Sequence, residues 1–316
     1  MPPPLRPLRE SPAVRFLVFV LAATIALGGG FVVLVATDNV PFVDGSDGGG
    51  GSVEQAGAVD RFDERAAFGF LERQVELGPR PAGSEASRRL GDWLLEEVPR
   101  GRFQELPGGL RNVIGEVPGS DPDRYVVVGA HYDTKDIPGF VGANDGAAGT
   151  AVVLELARTL RPEQIGPTVF FVFFDGEESP AGTPDDEFVE EGLRGSKAAV
   201  QFLFEAEAMV NVDFVGETGL VLPREESSDA DLWADLRAAA DRVGYADVFP
   251  PETQPPVGDD HVPFVQAGIP AIDLIDFDFD CFHEPCDDLS AVSPESLDAA
   301  GESVLELLRT FGPESG

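Results

Sequence analysis

The 316-residue sequence contains three histidines, and each of them stands close to acidic residues. His131 opens the motif His-Tyr-Asp, His261 closes Asp-Asp-His, and His283 lies in Phe-His-Glu. Imidazole nitrogen combined with carboxylate oxygen is a donor set that zinc accepts in catalytic sites, whereas magnesium and calcium need no histidine. The sequence therefore predicts a zinc site.

An acidic pair, Glu177 and Glu178, follows a fully apolar run in the motif Asp-Gly-Glu-Glu. Two adjacent glutamates at such a point allow one to bind metal while its neighbour moves protons. A single carboxylate in so acidic a chain is ordinary solvated surface, so each motif is weak on its own. Together they indicate a metal site, because Gly-Ala-Asn-Asp-Gly around Asp145 and Val-Asp-Phe around Asp213 also fall in a loop or at a predicted strand end.

The elements that must position these residues alternate between strand and helix. Short apolar runs predict buried strands at 112–117, 125–130, 168–174, 209–215 and 269–275. Helical periodicity predicts helices at 62–77, 85–97, 193–204, 231–243 and 294–308 and in the segment from Asp145, with Ser293 as the N-cap of the last helix. The alternation predicts one α/β domain over residues 61–314, with His131, the acidic pair and Asp213 meeting at the carboxyl ends of the strands.

Residues 16–36 form an almost wholly apolar segment, long enough as a helix to cross the hydrocarbon of a bilayer. Arginines precede this segment and aspartates follow it, so the positive-inside rule places residues 1–15 in the cytoplasm and the enzyme domain outside. A cleaved secretory signal is the alternative, and it gives the domain the same location. Residues 37–60 are glycine-rich and predict a flexible linker.

The balance of charge and the cysteines set further limits. The chain carries 22 Lys+Arg against 57 Asp+Glu, a formal net charge of −35, which argues against nucleic acid as a partner. Cys281 and Cys286 are the only cysteines. Their spacing lacks the paired Cys-x-x-Cys of structural zinc sites, so in an oxidising compartment a local disulfide is favoured over metal-binding thiols.

Longer motifs resemble the superfamily of co-catalytic zinc aminopeptidases and zinc-dependent glutaminyl cyclases. They are GPRPAGSEASR at 78–88, NVIGEVPG at 112–119, and the motifs of His131 and Asp145. The resemblance covers about residues 62–311 and implies a three-layer sandwich with a mixed, mostly parallel central sheet flanked by helices. The motifs HYDTK, FFDGEES, GLRGSK and GDDHVPF look more like the cyclase branch.

The cyclase resemblance implies one zinc ion held by Asp145, Glu178 and His283. Glu177 would be the general acid and base, and Asp213 and Asp259 would hold the surrounding hydrogen-bond network. The expected reaction converts the N-terminal glutamine of a peptide to pyroglutamate with release of ammonia.

An aminopeptidase of the same superfamily is the alternative. In that branch His131 and Asp213 would complete a second zinc site together with a bridging Asp145, and a water activated by two metals would release N-terminal residues. A third possibility is an ectodomain of this fold that binds a partner without catalysis, against which the intact acidic pair and His283 argue.

Aromatic residues are expected to line the substrate pocket. Phe282 stands where cyclases often carry a tryptophan before the zinc histidine. Phe277 and Phe279 are further candidate walls, with packing in the core as the alternative for both. Where an aromatic commonly follows the acidic pair, this chain has residues 179–183, Ser-Pro-Ala-Gly-Thr. His261 is interpreted either as a group that orients the site or as part of a helix start, and not as a metal ligand.

Overall fold

A computed structural model describes residues 61–312 of the protein. The predicted N-terminal segment, apolar span and linker, residues 1–60, lie outside the described residues. Within residues 61–312, no helix combines the length and the apolar character that crossing a membrane requires.

The centre of the domain is a six-stranded sheet in the order β1-β2-β4-β3-β5-β8. The strands in chain order are β1 Arg102–Glu105, β2 Arg111–Val117, β3 Asp121–His131, β4 Pro167–Phe174, β5 Met209–Val212 and β8 Ala271–Leu274, while β6 Arg224–Glu225 and β7 Thr253–Gln254 form a separate pair. β3 runs parallel to both β4 and β5, and β5 runs parallel to β8. β1 and β2 add an antiparallel edge, so the sheet is mixed and mostly parallel.

Helices cover the sheet, and their bounds are α1 Glu64–Glu76, α2 Glu85–Glu97, α3 Gly149–Thr159, α4 Phe188–Glu191, α5 Arg194–Ala199, α6 Ala230–Val243, α7 Val262–Gln266 and α8 Pro294–Thr310. Side-chain alternation along the strands separates two apolar clusters. Val126 and Val128 of β3 join the cluster that contains residues of α1, α2, α3, α6 and α8. Val127 joins the other cluster, together with Ala199 of α5 and Phe264 of α7. Because successive residues of a strand face opposite sides, helices lie on both faces, and the expected three-layer α/β fold is confirmed.

Side-chain caps begin four of the longer helices, and the one at Ser293 is where the sequence predicts it. The side chain of Asp63 accepts a hydrogen bond from the backbone of α1, and Ser293 accepts one from the Ser296 backbone N–H at the start of α8. Pro294 occupies the first turn of α8, where its missing N–H costs nothing. The helices predicted at 85–97 and 231–243 are also present, at Glu85–Glu97 and Ala230–Val243.

Several elements are shorter than predicted, including the strand predicted over 269–275, which is Ala271–Leu274. The helix predicted from Asp145 begins only at Gly149, because Asp145 is extended (ψ 96°) and Gly146 takes a positive φ of 90°. The helix predicted over 193–204 ends at Ala199, and beyond it Phe202 and Phe204 are exposed instead of packed. The strand predicted over 209–215 pairs only as far as Val212, which leaves Asp213 just past its end.

Candidate active site

The carboxyl edge of the parallel strands collects the chemistry that the sequence predicts there. His131 is the last residue of β3, the acidic pair follows β4, and Asp213 follows β5. Asp145 lies in the irregular turn before α3, and His283 comes from the loop after β8. Parallel strands end at one edge of their sheet, so residues far apart in the chain meet there. His131 and His283, for example, are 283 − 131 = 152 positions apart.

Two groups of potential metal ligands share Asp145. In one group, His131 Nε2 lies 3.4 Å from Asp145 Oδ1 and 3.2 Å from Asp213 Oδ1. In the other, His283 Nε2 lies 3.4 Å from Asp145 Oδ2 and 3.3 Å from Glu178 Oε1. Asp145 therefore presents one oxygen to each group. This arrangement can hold one cation or two.

Unsatisfied polar atoms show that the second group suits a cation. Asp145 and Glu178 are both more than nine-tenths buried. Even so, Asp145 Oδ2 and Glu178 Oε1 have no hydrogen-bond partner. Leaving such oxygens unpaired costs free energy, and a bound cation removes that cost. Two carboxylates and an imidazole are borderline ligands of the kind zinc takes, with room for a substrate atom as a further ligand. The residues therefore fit Zn²⁺.

Asp133 holds the backbone of the turn that carries the acidic pair, Glu177 and Glu178. Its Oδ1 accepts the backbone N–H groups of Gly176 and Glu177, and its Oδ2 accepts that of Glu178. Asp133 is also 3.8 Å from His131 Nδ1. One buried carboxylate thus fixes the backbone that carries both glutamates and lies against a histidine of the site. The sequence motif His-x-Asp contains this residue, but nothing in the sequence alone indicates that it binds the backbone of the acidic pair.

Burial acts on both members of the acidic pair, but their pKa values move in opposite directions. It raises the pKa of Glu177 well above its usual value, against the attraction of His131, and repulsion from Glu178 adds to the increase. Burial would also raise the pKa of Glu178, but the interaction with the His283 ring, 3.3 Å away, and the charge of Lys135 outweigh it and lower the pKa. Glu178 is therefore the charged member, while Glu177 can hold or release a proton.

Lys135 is a residue of the site that sequence reasoning missed. Its Nζ lies 2.8 Å from Glu178 Oε2, leaving the other oxygen of that carboxylate facing His283. The same Nζ donates to Ser179 Oγ and stands over the ring of Phe188. The available signal was its rarity, because Lys135 is one of two lysines in the chain and lies in the motif HYDTK.

Asp213 and Asp259 line the same pocket. Burial raises the pKa of Asp213 well above its usual range, and repulsion from Asp259 adds to the increase. Both carboxyls are almost completely buried, at 5% and 1% exposure. Asp213 contacts His131 of the first ligand group.

A pocket of about 590 Å³ opens over the second ligand group. Phe214, Phe277 and Phe282 form one aromatic wall, and Phe282 stacks on the His283 ring with centroids 3.9 Å apart. Phe188 of α4 lies at the pocket edge beside Lys135, so an aromatic still reaches the pocket beyond residues 179–183. Further lining comes from residues 254–258 and Ile275.

Of the two roles expected for Phe279, the structure shows core packing. Phe279 is 6% exposed and packs behind Phe214, with ring centroids 6.0 Å apart, in a small cluster that also contains Ile275. It supports the wall from behind and does not line the pocket. Phe214, which sequence reasoning overlooked, forms the wall because it follows Asp213 at the end of β5.

His261 lies outside both ligand groups. It is fully buried at the start of α7, where Nε2 is 2.9 Å from Ser227 Oγ and 3.3 Å from Glu225 Oε1, and Nδ1 is 3.4 Å from Asp273 Oδ2. Its contacts therefore belong to a separate buried network, as well as to a helix start. The predicted disulfide between Cys281 and Cys286 is confirmed.

Comparisons with known proteins agree with this geometry. The family model for Peptidase family M28 matches residues 112–308. Aminopeptidase YwaD of Bacillus subtilis is 31% identical over 199 residues, which are 58% of this chain and 40% of that relative. This chain therefore spans less than half the length of that aminopeptidase. The glutaminyl-peptide cyclotransferase-like protein of Mus musculus is 26% identical across 94% of this chain and 90% of its own length.

A solved structure extends the likeness to three dimensions. Glutaminyl cyclase of Porphyromonas gingivalis is 30% identical and superposes with a TM-score of 0.67, over 79% of this chain and 98% of that one. The fold and site are thus those of the class that contains both aminopeptidases and glutaminyl cyclases. The chain belongs to Peptidase family M28, since the family match covers more than half of its residues.

Proposed function

We propose that the protein is a zinc-dependent, glutaminyl-peptide cyclotransferase-like enzyme that converts an N-terminal glutamine to pyroglutamate and releases ammonia. The observation that carries the proposal is the position of Glu177, a buried carboxyl in the pocket next to the group formed by Asp145, Glu178 and His283. The extent of the cyclase-like relatives supports it, because the mouse protein matches this chain along almost all of both sequences.

Asp145, Glu178 and His283 would hold one zinc ion in this function. Zinc bound there would supply Lewis-acid polarisation of the γ-carbonyl of the substrate glutamine. Lys135 holds the outer oxygen of Glu178 at 2.8 Å, so it orients this carboxylate. Phe282, stacked on the ring of His283, restricts the orientation of the imidazole in the same way.

Glu177 would carry the proton transfer. The α-amine nitrogen of the substrate forms a bond to its own γ-carbonyl carbon, and the bond from that carbon to the amide nitrogen breaks. Glu177 as a carboxylate accepts a proton from the α-amine and delivers it to the amide nitrogen, which leaves as ammonia. No water is consumed. A carboxyl whose pKa is raised by burial is suited to both halves of this transfer.

The pocket would hold the substrate in the folded-back conformation that ring closure needs. The aromatic wall of Phe214, Phe277 and Phe282 offers apolar contact to the glutamine side chain and the following residue. Asp213 and Asp259 also line the pocket and would hold the hydrogen-bond network around the α-amine. Bringing amine and carbonyl together in this way is where most of the catalytic advantage would arise.

An aminopeptidase is the second candidate function. The observation in its favour is the group formed by His131, Asp145 and Asp213, which could hold a second zinc ion with Asp145 as the bridge. Two ions would then activate a water molecule for hydrolysis of the first peptide bond. The likeness to a Bacillus aminopeptidase supports this function over part of the chain.

We also propose that residues 16–36 anchor the enzyme in a membrane, with the catalytic domain on the extracytoplasmic side and joined to the anchor by residues 37–60. The support is the apolar run itself and the arginines that precede it. The substrates would then be the N-termini of peptides and proteins outside the cytoplasm. Two experiments test this proposal. A chain that alkaline extraction removes from membranes would contradict the anchor, and a catalytic domain that resists protease added outside intact cells would contradict its extracytoplasmic location.

Incubating the zinc-loaded full chain with one Gln-initiated and one Leu-initiated peptide tests the reaction. The cyclase predicts loss of ammonia from the Gln peptide alone, measured by mass spectrometry, and no change in the Leu peptide. Loss of whole N-terminal residues from either peptide would contradict the cyclase function and support the aminopeptidase function instead. Glu177→Gln is the control that separates this activity from a contaminant, because it removes the proton carrier and keeps the shape.

A further inference from the structure

His283 is held differently from the other residues of its ligand group. Asp145 lies in the turn that leads into α3, and Glu178 lies four positions after the end of β4, whereas His283 lies nine positions after the end of β8 and eleven before the start of α8. It is a non-glycine residue with a left-handed backbone, φ 55°. Side chains disfavour that conformation, so the surrounding structure must hold it in place.

The disulfide between Cys281 and Cys286 closes the loop around His283. On one side, Cys281 packs against the apolar cluster of Phe214, Ile275 and Phe279, behind the pocket wall. This cluster gives the first end of the loop a fixed position. Cys286, at the second end, is exposed and has no such packing. The S–S bond joins it to the packed first end.

The residue after Cys286 connects the same loop to a second ligand. Asp287 is fully buried, and its Oδ1 accepts the backbone N–H of Asn144 at 2.7 Å while its Oδ2 accepts that of Asp145 at 3.1 Å. The closed loop thus places His283 directly and supports the backbone of Asp145 through its neighbour. Movement of residues 281–287 would disturb two of the three ligands together.

We propose that this disulfide is a redox-controlled positioning element of the metal site. With the bond closed, His283 Nε2 stays within reach of Asp145 Oδ2 and Glu178 Oε1. A dithiol reductant opens it: the reductant is oxidised to its own disulfide, and Cys281 and Cys286 each gain a hydrogen. The loop then gains conformational freedom, the left-handed backbone of His283 relaxes, and zinc is held more weakly. The inference rests on the proposed zinc site but not on the reaction carried out there.

Zinc affinity, measured by competition with a chromophoric chelator, tests the inference without using activity. The full chain is compared in its oxidised form and after treatment with a water-soluble phosphine, which becomes a phosphine oxide with oxygen from water and leaves two thiols. Loss of a group that orients a ligand typically weakens metal binding by about 10- to 100-fold. We expect a fall of that size on reduction, a return on reoxidation, and faster hydrogen exchange confined to about residues 280–288.

The double variant Cys281→Ser/Cys286→Ser provides the matched control. It should bind zinc as weakly as the reduced chain and should not respond to the phosphine, and an equal response in this variant would show that the loss does not come from the cysteines. Unchanged zinc affinity in a chain with two titrated thiols overturns the proposal. Global unfolding on reduction also overturns it, because the bond would then stabilise the whole domain. Absence of zinc binding by the oxidised chain would instead reject the proposed zinc site itself.

Discussion

Replacing Glu225 with glutamine is expected to destabilise the protein by about 2 to 3 kcal/mol at neutral pH, and by much less in acid. Glu225 is fully buried, with His261 Nε2 at 3.3 Å and Ser227 Oγ at 2.8 Å from its Oε1. Its Oε2 also accepts the backbone N–H of Val257, a residue of the pocket wall. The charged carboxylate therefore joins a buried histidine to the segment that lines the pocket.

The size of the effect follows from the pKa of Glu225. Burial acts to raise this pKa, but the hydrogen bond and charge of His261, together with the Ser227 contacts, lower it from 4.5 to about 2. A difference of that size between the unfolded and folded states corresponds to about 3 kcal/mol, and somewhat less after allowance for solvent screening. A lowered folded-state pKa gives stability that is fully present above about pH 5 and is lost as the pH falls towards 2.

Urea denaturation of the wild type and Glu225→Gln at pH 7, 5, 4 and 3 measures this directly. The difference in unfolding free energy should be constant between pH 7 and 5 and should shrink to about half by pH 3. Glu226→Gln is the matched control, because it makes the same chemical change one position away on an exposed side chain, and it should cost less than about 0.5 kcal/mol. A difference that does not depend on pH, or a Glu225→Gln protein as stable as the wild type, would refute the reasoning.

Three further outcomes are expected. Glu177→Gln should lower kcat by about 10²- to 10⁴-fold in steady-state assays while zinc content by atomic absorption stays unchanged, and equal loss of metal would contradict the role of Glu177 as the proton carrier. Gly149→Ala should lower the free energy of unfolding by about 1 to 3 kcal/mol even after the structure relaxes, because the new Cβ would lie 2.0 Å from the Val212 carbonyl oxygen. Gly69→Ala in α1 is the control: its Cβ meets nothing within 4 Å, and the free energy of unfolding, measured by heat or urea, should rise by about 0.5 to 1 kcal/mol. Phe282→Ala should raise KM more than Phe282→Trp does, and equal KM values in both variants would exclude this ring from the pocket wall.

The parts of the site that could be predicted are those fixed by local sequence. His131, the acidic pair and Asp213 directly follow apolar runs, and carboxyl ends of parallel strands converge whatever the remaining sequence does. The start of α8 could be predicted for the same reason, since Ser293 and Pro294 act on the residues next to them. Predictions of this kind need only periodicity and the chemistry of neighbouring residues.

Other features depend on contacts between residues far apart in the chain. Helical periodicity continues through Asp145, but the Asp287 carboxylate binds the backbone N–H groups of this turn and delays the helix to Gly149. The glycine at 146, with its positive φ, was the local signal of that break. Phe279 and Phe282 have the same apolar character in the sequence, and both rings contact Phe214. Only the three-dimensional packing shows that Phe282 lines the pocket and that Phe279 is buried behind it.

The reaction of a single Gln-initiated peptide in water enriched with ¹⁸O tests the central claim most directly. Intramolecular ring closure by the peptide's own amine, with Glu177 moving the proton, predicts a product lighter by one ammonia and free of ¹⁸O. Hydrolysis by a water molecule activated between the two ligand groups would instead release free glutamine with ¹⁸O in its carboxylate and a shortened peptide. The first result is the one that the cyclase proposal predicts, and the second would contradict it.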